Sequence, residues 1–336
     1  MMCSKKILLL VFILFVSTYP LQAQRITAAN RAALRQHQDT LQALSYTLVN
    51  GVNMEDRIDA NDAFIPALVR TLKIKNSFYF QLDSVKTVSI LYPSDSTFRI
   101  FSWALAKDNG TYRHFGAVQM NTKDGELKLF PLIDMSDFIV NKDTVTSNKA
   151  WYGCLYYKIV QQQYFNKQYY TLFGWDGNNI RSQKKLVEMI SFDGANGEPI
   201  FGAPMFSFAE DTVRKPTRNR FIIEYKKEAN VGLNYNTELG MIVYDHLIPE
   251  DNEKEKLYTY VPDLDYEGFK WKAGKWVHIE KPFDTKVKLG EVPYEKPVDF
   301  KKKQIKNIQA EDDFMETPGN KKPAPKKTTT PNKKNK

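Results

Sequence analysis

Residues 98–120, FRIFSWALAKDNGTYRHFGAVQM, read as two strands folded back on a turn. Aromatic, aliphatic and β-branched residues fill 98–106 and 112–120, and Asp108-Asn109-Gly110 lies between them. Asx-Gly between two such runs is a hairpin signal, because these residues accept the positive φ that the turn requires. Strands joined so closely pair antiparallel.

The same grammar continues in both directions. Strand-like runs are expected at 78–82 and 87–92 on one side, and at 127–132, 151–160, 168–175, 186–192 and 201–208 on the other. Further runs follow at 221–226, 231–235 and 241–244, with a last pair around 270–271 and 276–279. Lys123-Asp124-Gly125, Asp176-Gly177, Asp193-Gly194 and Ala273-Gly274 mark turns. No helical crossovers separate the runs, which disfavours a doubly wound sheet. The expected fold is mainly β: an antiparallel multi-stranded meander that is barrel-like, propeller-like or built of stacked sheets.

A helical pair precedes it. Leu34, His37, Leu41, Leu44 and Leu48 share one helical face, with Thr27 as N-cap and Asn50-Gly51 as the stop. A second helix is expected over 61–72, where Phe64, Ile65, Leu68 and Leu72 share a side. Pro66 either kinks it or marks a start nearer Ile65. The pair, within residues 24–75, is expected to pack on a β body spanning 76–281.

The chain opens with Lys5-Lys6, an apolar run over 7–16 (ILLLVFILFV), Tyr19-Pro20 and Ala23. That is the order of a secretory signal peptide, 1–23, with the mature chain starting at Gln24. The apolar run is about half the roughly 20 residues needed to span a bilayer, which favours a cleaved leader over an anchor. No later stretch approaches about 18 apolar residues, so no transmembrane helix is expected in the mature chain. The expected location is the periplasm, the outer membrane or the exterior. Removal of the leader leaves Cys154 without a disulfide partner, and its aromatic neighbours suggest a small buried hydrophobe.

The formal charge of +9 falls to +7 once Lys5 and Lys6 leave. Seven lysines and no acid lie in 317–336, so residues 24–316 are near neutral. The surplus belongs to an extension, which argues against a nucleic-acid surface. Residues 282–336 read as an extended Lys/Pro-rich tether, and from 317 they lack the apolar content to offset ordering entropy. Such a tail either solubilises the chain or adheres to anionic envelope material.

No GxSxG, HExxH, GxGxxG or CxxC occurs, and no cofactor is expected. Gly268 to Gly274-Lys275 has the wrong spacing for a P-loop, and Trp276 stands where Ser or Thr is needed. Asp263, Asp265 and Glu267, with Gly268 after them, match the first half of a calcium loop, but its twelfth position is Gly274. An acidic turn before an edge strand is the simpler account. The four histidines, 37, 114, 246 and 278, lack ligand spacing for zinc.

Asp245-His246 places a carboxylate beside an imidazole, although neighbours on a strand face opposite ways. Trp175, Asn178 and Asn179 surround Asp176 at a tight turn, combining a ring face with polar groups as sugar sites do. A plain hairpin turn explains the same residues. Trp271 and Trp276 either fill the core or line a groove.

Three stretches, YYTLFGWDGNN (169–179), FGAPMF (201–206) and YDHLIP (244–249) with PDLDYEGFKWKAGKW (262–276), resemble a group of exported proteins of unassigned function from Bacteroidetes-type bacteria. The resemblance spans roughly residues 75–280. It implies export from a Gram-negative cell and no particular chemistry. The expected function is that of a non-enzymatic envelope protein, a binding or assembly component. Its expected partners are envelope glycan, lipopolysaccharide or another envelope protein. The alternatives are a secreted hydrolase built on Asp176, Asp245 and His246, and an adhesin acting through its tail.

Overall fold

The Thr27 hydroxyl accepts the Asn30 N–H at 3.1 Å, and helix α1 (Ala28–Asn50) runs on until Gly51 returns its N–H to the Thr47 carbonyl. Leu34, Leu41 and Leu48 are buried along one stripe. Helix α2 (Met54–Leu72) begins at Met54 rather than at residue 61, and Pro66 lies inside it. The apolar stripe starts late, but Glu55 and Asp56 favour the positive N-terminal end of the extra turns. Arg57 then fastens them, donating to Gly51, Val52 and Ala106 carbonyls and to Asp108.

The computed structural model describes residues 26–251 and 253–283 of the chain. The expected leader, 1–23, and the expected tail from residue 284 lie outside the described residues. No helix among those described is long and apolar enough to cross a membrane.

Sheet 1 is an antiparallel meander of β1 (Ser89–Leu91), β2 (Phe98–Ala106), β3 (Tyr112–Met120) and β4 (Lys128–Ile133). The β2–β3 hairpin pairs Phe98 with Met120 through to Ala106 with Tyr112, and Gly110 takes φ 75° at its turn. Sheet 2 has the order β5-β9-β8-β7-β6, from β5 (Thr146–Ser147), β9 (Ile200–Phe201), β8 (Ser182–Ser191), β7 (Lys167–Asp176) and β6 (Leu155–Tyr164). β12 (Arg220–Lys226) also pairs with β8. Sheet 3 has the order β11-β10-β16-β15-β14-β13. Its strands are β11 (Lys215–Arg218), β10 (Phe206–Phe208), β16 (Lys275–Ile279), β15 (Tyr260–Lys272), β14 (Met241–Pro249) and β13 (Leu233–Asn236). The pairing of β10 with β16 is parallel.

Strand alternation sets the layering. On β2, Phe101 and Trp103 face the helices and join Leu41, Phe64 and Leu68, whereas Phe98 and Ile100 face sheet 2. On β7 and β8, Leu172 and Leu186 meet sheet 1, and Phe173 and Val187 meet Phe206, Ile242 and Phe269 of sheet 3. Three stacked sheets with a helical cover result, one of the three arrangements left open by the sequence. Over 98–103 strand β2 is buried on both faces, its apolar residues interrupted by the buried Arg99 and Ser102.

Two expected strands are corrected. Residues 78–82 form no strand; a 3-10 turn, Ser77–Tyr79, stands there. The carbonyls of Ser77 and Phe80 accept from the Arg99 guanidinium instead of from a neighbouring strand. The run 201–208 is split at Gly202, whose φ of 91° turns the chain, so that β9 joins sheet 2 and β10 joins sheet 3.

Candidate functional site

Strand β14 carries Tyr244 and His246 two residues apart, so both side chains reach the same face of sheet 3. Antiparallel pairing with β15 sets Glu267 opposite Tyr244. Glu267 Oε2 accepts the Tyr244 hydroxyl at 2.7 Å. His278, on β16, approaches the same hydroxyl through Nε2 at 2.8 Å and Asp211 through Nδ1 at 2.8 Å. One proton placement satisfies all three contacts: an imidazolium donating to Asp211 and to the Tyr244 oxygen, with the tyrosine donating to Glu267.

Burial alone would push the His278 pKa down, but Glu267 and Asp211 outweigh it and raise the pKa above its ordinary value. Burial opposes ionisation of Glu267 as well, yet hydrogen bonds from His278 and Tyr244 hold its pKa below the usual range. The Tyr244 hydroxyl, buried and beside Glu267, is driven well above the usual tyrosine pKa.

This relay ends at a cavity of about 590 Å³ bordered by β12 of sheet 2, by β14 and β15 of sheet 3, and by the loop around Lys142. Phe208, Phe221, Tyr244 and Leu247 provide apolar walls, and Leu257 and Tyr260 flank them. His246 is half-exposed there. Its Nδ1 meets Asp263 Oδ2 at 2.8 Å, and its Nε2 lies 3.9 Å from Glu267 Oε1. Burial disfavours the Asp263 carboxylate, but His246 and the Asp265 N–H lower its pKa overall.

A buried ion pair shapes the opposite wall. The side chains of Arg220 and Glu188 are without solvent access, with Arg220 Nε and Nη2 each 2.6 Å from Glu188 Oε2. Tyr156 donates to the other Glu188 oxygen and accepts from the Trp151 indole. Arg220 Nη1 donates to the carbonyls of Lys142 and Thr144, which pins that loop as a wall. Cys154 lies in the same layer fully buried, and burial raises its thiol pKa well above normal.

Asp245 and His246 both border the cavity, but Asp176 does not. Asp245 instead accepts the Gly232 N–H at 2.7 Å. Asp176 is buried, 3.7 Å from both His114 and Lys184, and accepts the Asn178 N–H. The three residues expected to converge in a hydrolase therefore do not share one pocket.

At the neighbouring turn, Trp175 donates to Gln183, and Asn179 accepts from the Arg181 and Ser182 backbones. Asn178, at φ 48°, binds Ser182, Lys184 and Glu224. The turn thus uses its polar groups internally and holds Glu224, a cavity residue. Trp276 is fully buried with its N–H on Thr171, and Trp271 packs on it at 5.1 Å; neither borders the cavity.

The calcium candidates are likewise engaged elsewhere. Asp263 serves His246 and Glu267 serves Tyr244, while Leu264 at φ 77° and the Asp265 N–H bond to Asp263 shape a bend within β15. Sequence reasoning missed Asp211, Glu224, Arg220 and the cationic rim of Lys142, Lys215 and Arg218. Only sheet pairing brings these residues together. Compared with family models, curated proteins and solved structures, the chain matches none.

Proposed function

We propose that this protein is an exported, non-enzymatic binding component of the bacterial envelope, and that the cavity between β12, β14 and β15 is its ligand site. The observation that carries this is the cavity's construction: apolar walls, a pinned loop and a few convergent polar groups, the usual makeup of a small-ligand site. Export rests on the leader-like order of residues 1–23. The hydrolase alternative loses support because Asp176 stands apart from His246.

The test uses mature protein from Gln24 onward, titrated calorimetrically with fractionated envelope glycan. A Leu257→Trp variant, which narrows the half-exposed mouth of the cavity, should lose the binding heat while keeping the melting temperature. Equal binding by both proteins would remove the cavity as the site. Chemical conversion of the ligand during titration would overturn the non-enzymatic part.

A further inference from the structure

The four carboxylates of the cavity divide into two kinds. Asp143 Oδ1 accepts the Asn219 and Arg220 N–H groups and Asp245 Oδ2 accepts that of Gly232, so both are held by backbone through one oxygen, and neither forms an ion pair among the described residues. Glu224 and Glu267 are half-matched by side chains. Glu224 Oε1 accepts from Ser182 and Asn178, whereas its Oε2 faces Lys142 at 3.8 Å. Glu267 Oε2 accepts from Tyr244, whereas its Oε1 faces His246 Nε2 at 3.9 Å.

Each half-matched carboxylate therefore opposes a nitrogen at a separation too long for a direct hydrogen bond. A hydroxyl suits such a gap, because it donates to the carboxylate and accepts from the nitrogen. That nitrogen is Lys142 Nζ in one gap and, in the imidazolium form that also donates from Nδ1 to Asp263, His246 Nε2 in the other. Two of these gaps border one cavity.

Two weakly paired cations stand beside them. Arg218, on exposed β11, has no ion pair among the described residues, and Lys215 reaches Asp211 only at 3.7 Å. Phe208 and Phe221 supply ring faces, with Lys215 standing 5.5 Å from the centre of the Phe208 ring. A ligand that answers all three features has hydroxyls for the gaps, a flat apolar face for the rings and an anionic group for the rim. We infer that the cavity binds an acidic sugar, a hydroxylated ring bearing carboxylate or phosphate. This rests on the cavity being the ligand site and adds the class of ligand.

The experiment titrates the mature protein with trigalacturonate, glucose 6-phosphate, neutral maltotriose and adipate, an anion without ring or hydroxyls. Trigalacturonate or glucose 6-phosphate should bind, the stronger one identifying carboxylate or phosphate as the anion. Maltotriose and adipate should bind at least about tenfold more weakly. The exposed double variant Lys215→Gln/Arg218→Gln should weaken the charged sugar about tenfold without moving the melting temperature, and raising salt from about 0.05 M to about 0.5 M should do likewise.

Equal binding of maltotriose removes the anionic requirement, and equal binding of adipate removes the hydroxyl gaps. Absence of binding by both charged sugars overturns the inference outright. None of these failures touches the site itself, which the Leu257→Trp variant tests separately with envelope glycan.

Discussion

Arg220 illustrates what one side chain holds in place. Its guanidinium neutralises Glu188 in a region without solvent access and anchors two carbonyls of the cavity loop. Arg220→Met leaves a buried carboxylate uncompensated and should cost about 3–5 kcal/mol in urea unfolding. The companion change Glu188→Gln should restore part of that loss. A Glu188→Gln effect of the same size with and without Arg220 would show the pair to be uncoupled.

His278 ties stability to pH. Its folded-state pKa lies above the ordinary 6.5, so its contribution is complete below about 6.5 and disappears as pH rises through the folded value. Asp134 acts in the opposite sense. Burial opposes its ionisation, but hydrogen bonds from His114 and Ser136 hold its pKa low, so it contributes above the normal carboxylate pKa and loses that contribution in acid. The difference in unfolding free energy between wild type and His278→Gln should shrink from pH 6 to pH 9. A constant difference would show that the imidazole proton is not linked to folding.

At this scale the sequence was least legible. His246 drew notice through Asp245, yet its carboxylate partner is Asp263, brought over by strand pairing. Tyr244, Glu267, His278 and Asp211 carry no shared local pattern, because each belongs to a different strand or loop.

Elements were easier to read where turn chemistry and burial agree. The β2–β3 hairpin has the expected limits because Asp108-Asn109-Gly110 admits a single tight reversal. α1 was legible for a related reason, its stripe being closed by a cap at either end. Thr27→Ala should lower stability by about 1 kcal/mol in thermal unfolding. Phe64→Ala, which empties the contact with Trp103 at 5.2 Å, should cost about 3–5 kcal/mol. A loss under about 1 kcal/mol would mean that the helices do not share the core of sheet 1. β15 was underestimated because its middle carries Asp263, Asp265 and Glu267, residue types rare in strands. Asp263 and Glu267 remain in the strand as partners of His246 and Tyr244.

For the molecule as a whole, layering follows from strands apolar on both faces, but the stacking order was not legible. A doubly buried strand looks the same in a barrel wall as in a middle sheet. The three apolar clusters all lie within residues 26–276. A chain ending at Phe283 should therefore keep its melting temperature and near-ultraviolet circular dichroism. Its association with anionic vesicles should weaken relative to the full chain if the lysines of 317–336 mediate attachment, and salt should erase the difference. A lowered melting temperature would place part of the core beyond Phe283.

The parallel partnership of β10 with β16 has a consequence for the order of assembly. As the chain emerges N-terminus first, sheets 1 and 2 have all their strands once β12 has appeared, whereas β10 must wait for residues 275–279. Until then its unpaired edge is open to wrong pairing or to a holding chaperone. The strand that seals this edge also delivers His278, so the Tyr244 hydroxyl at the cavity wall gains its imidazole partner in the same late event that closes the sheet.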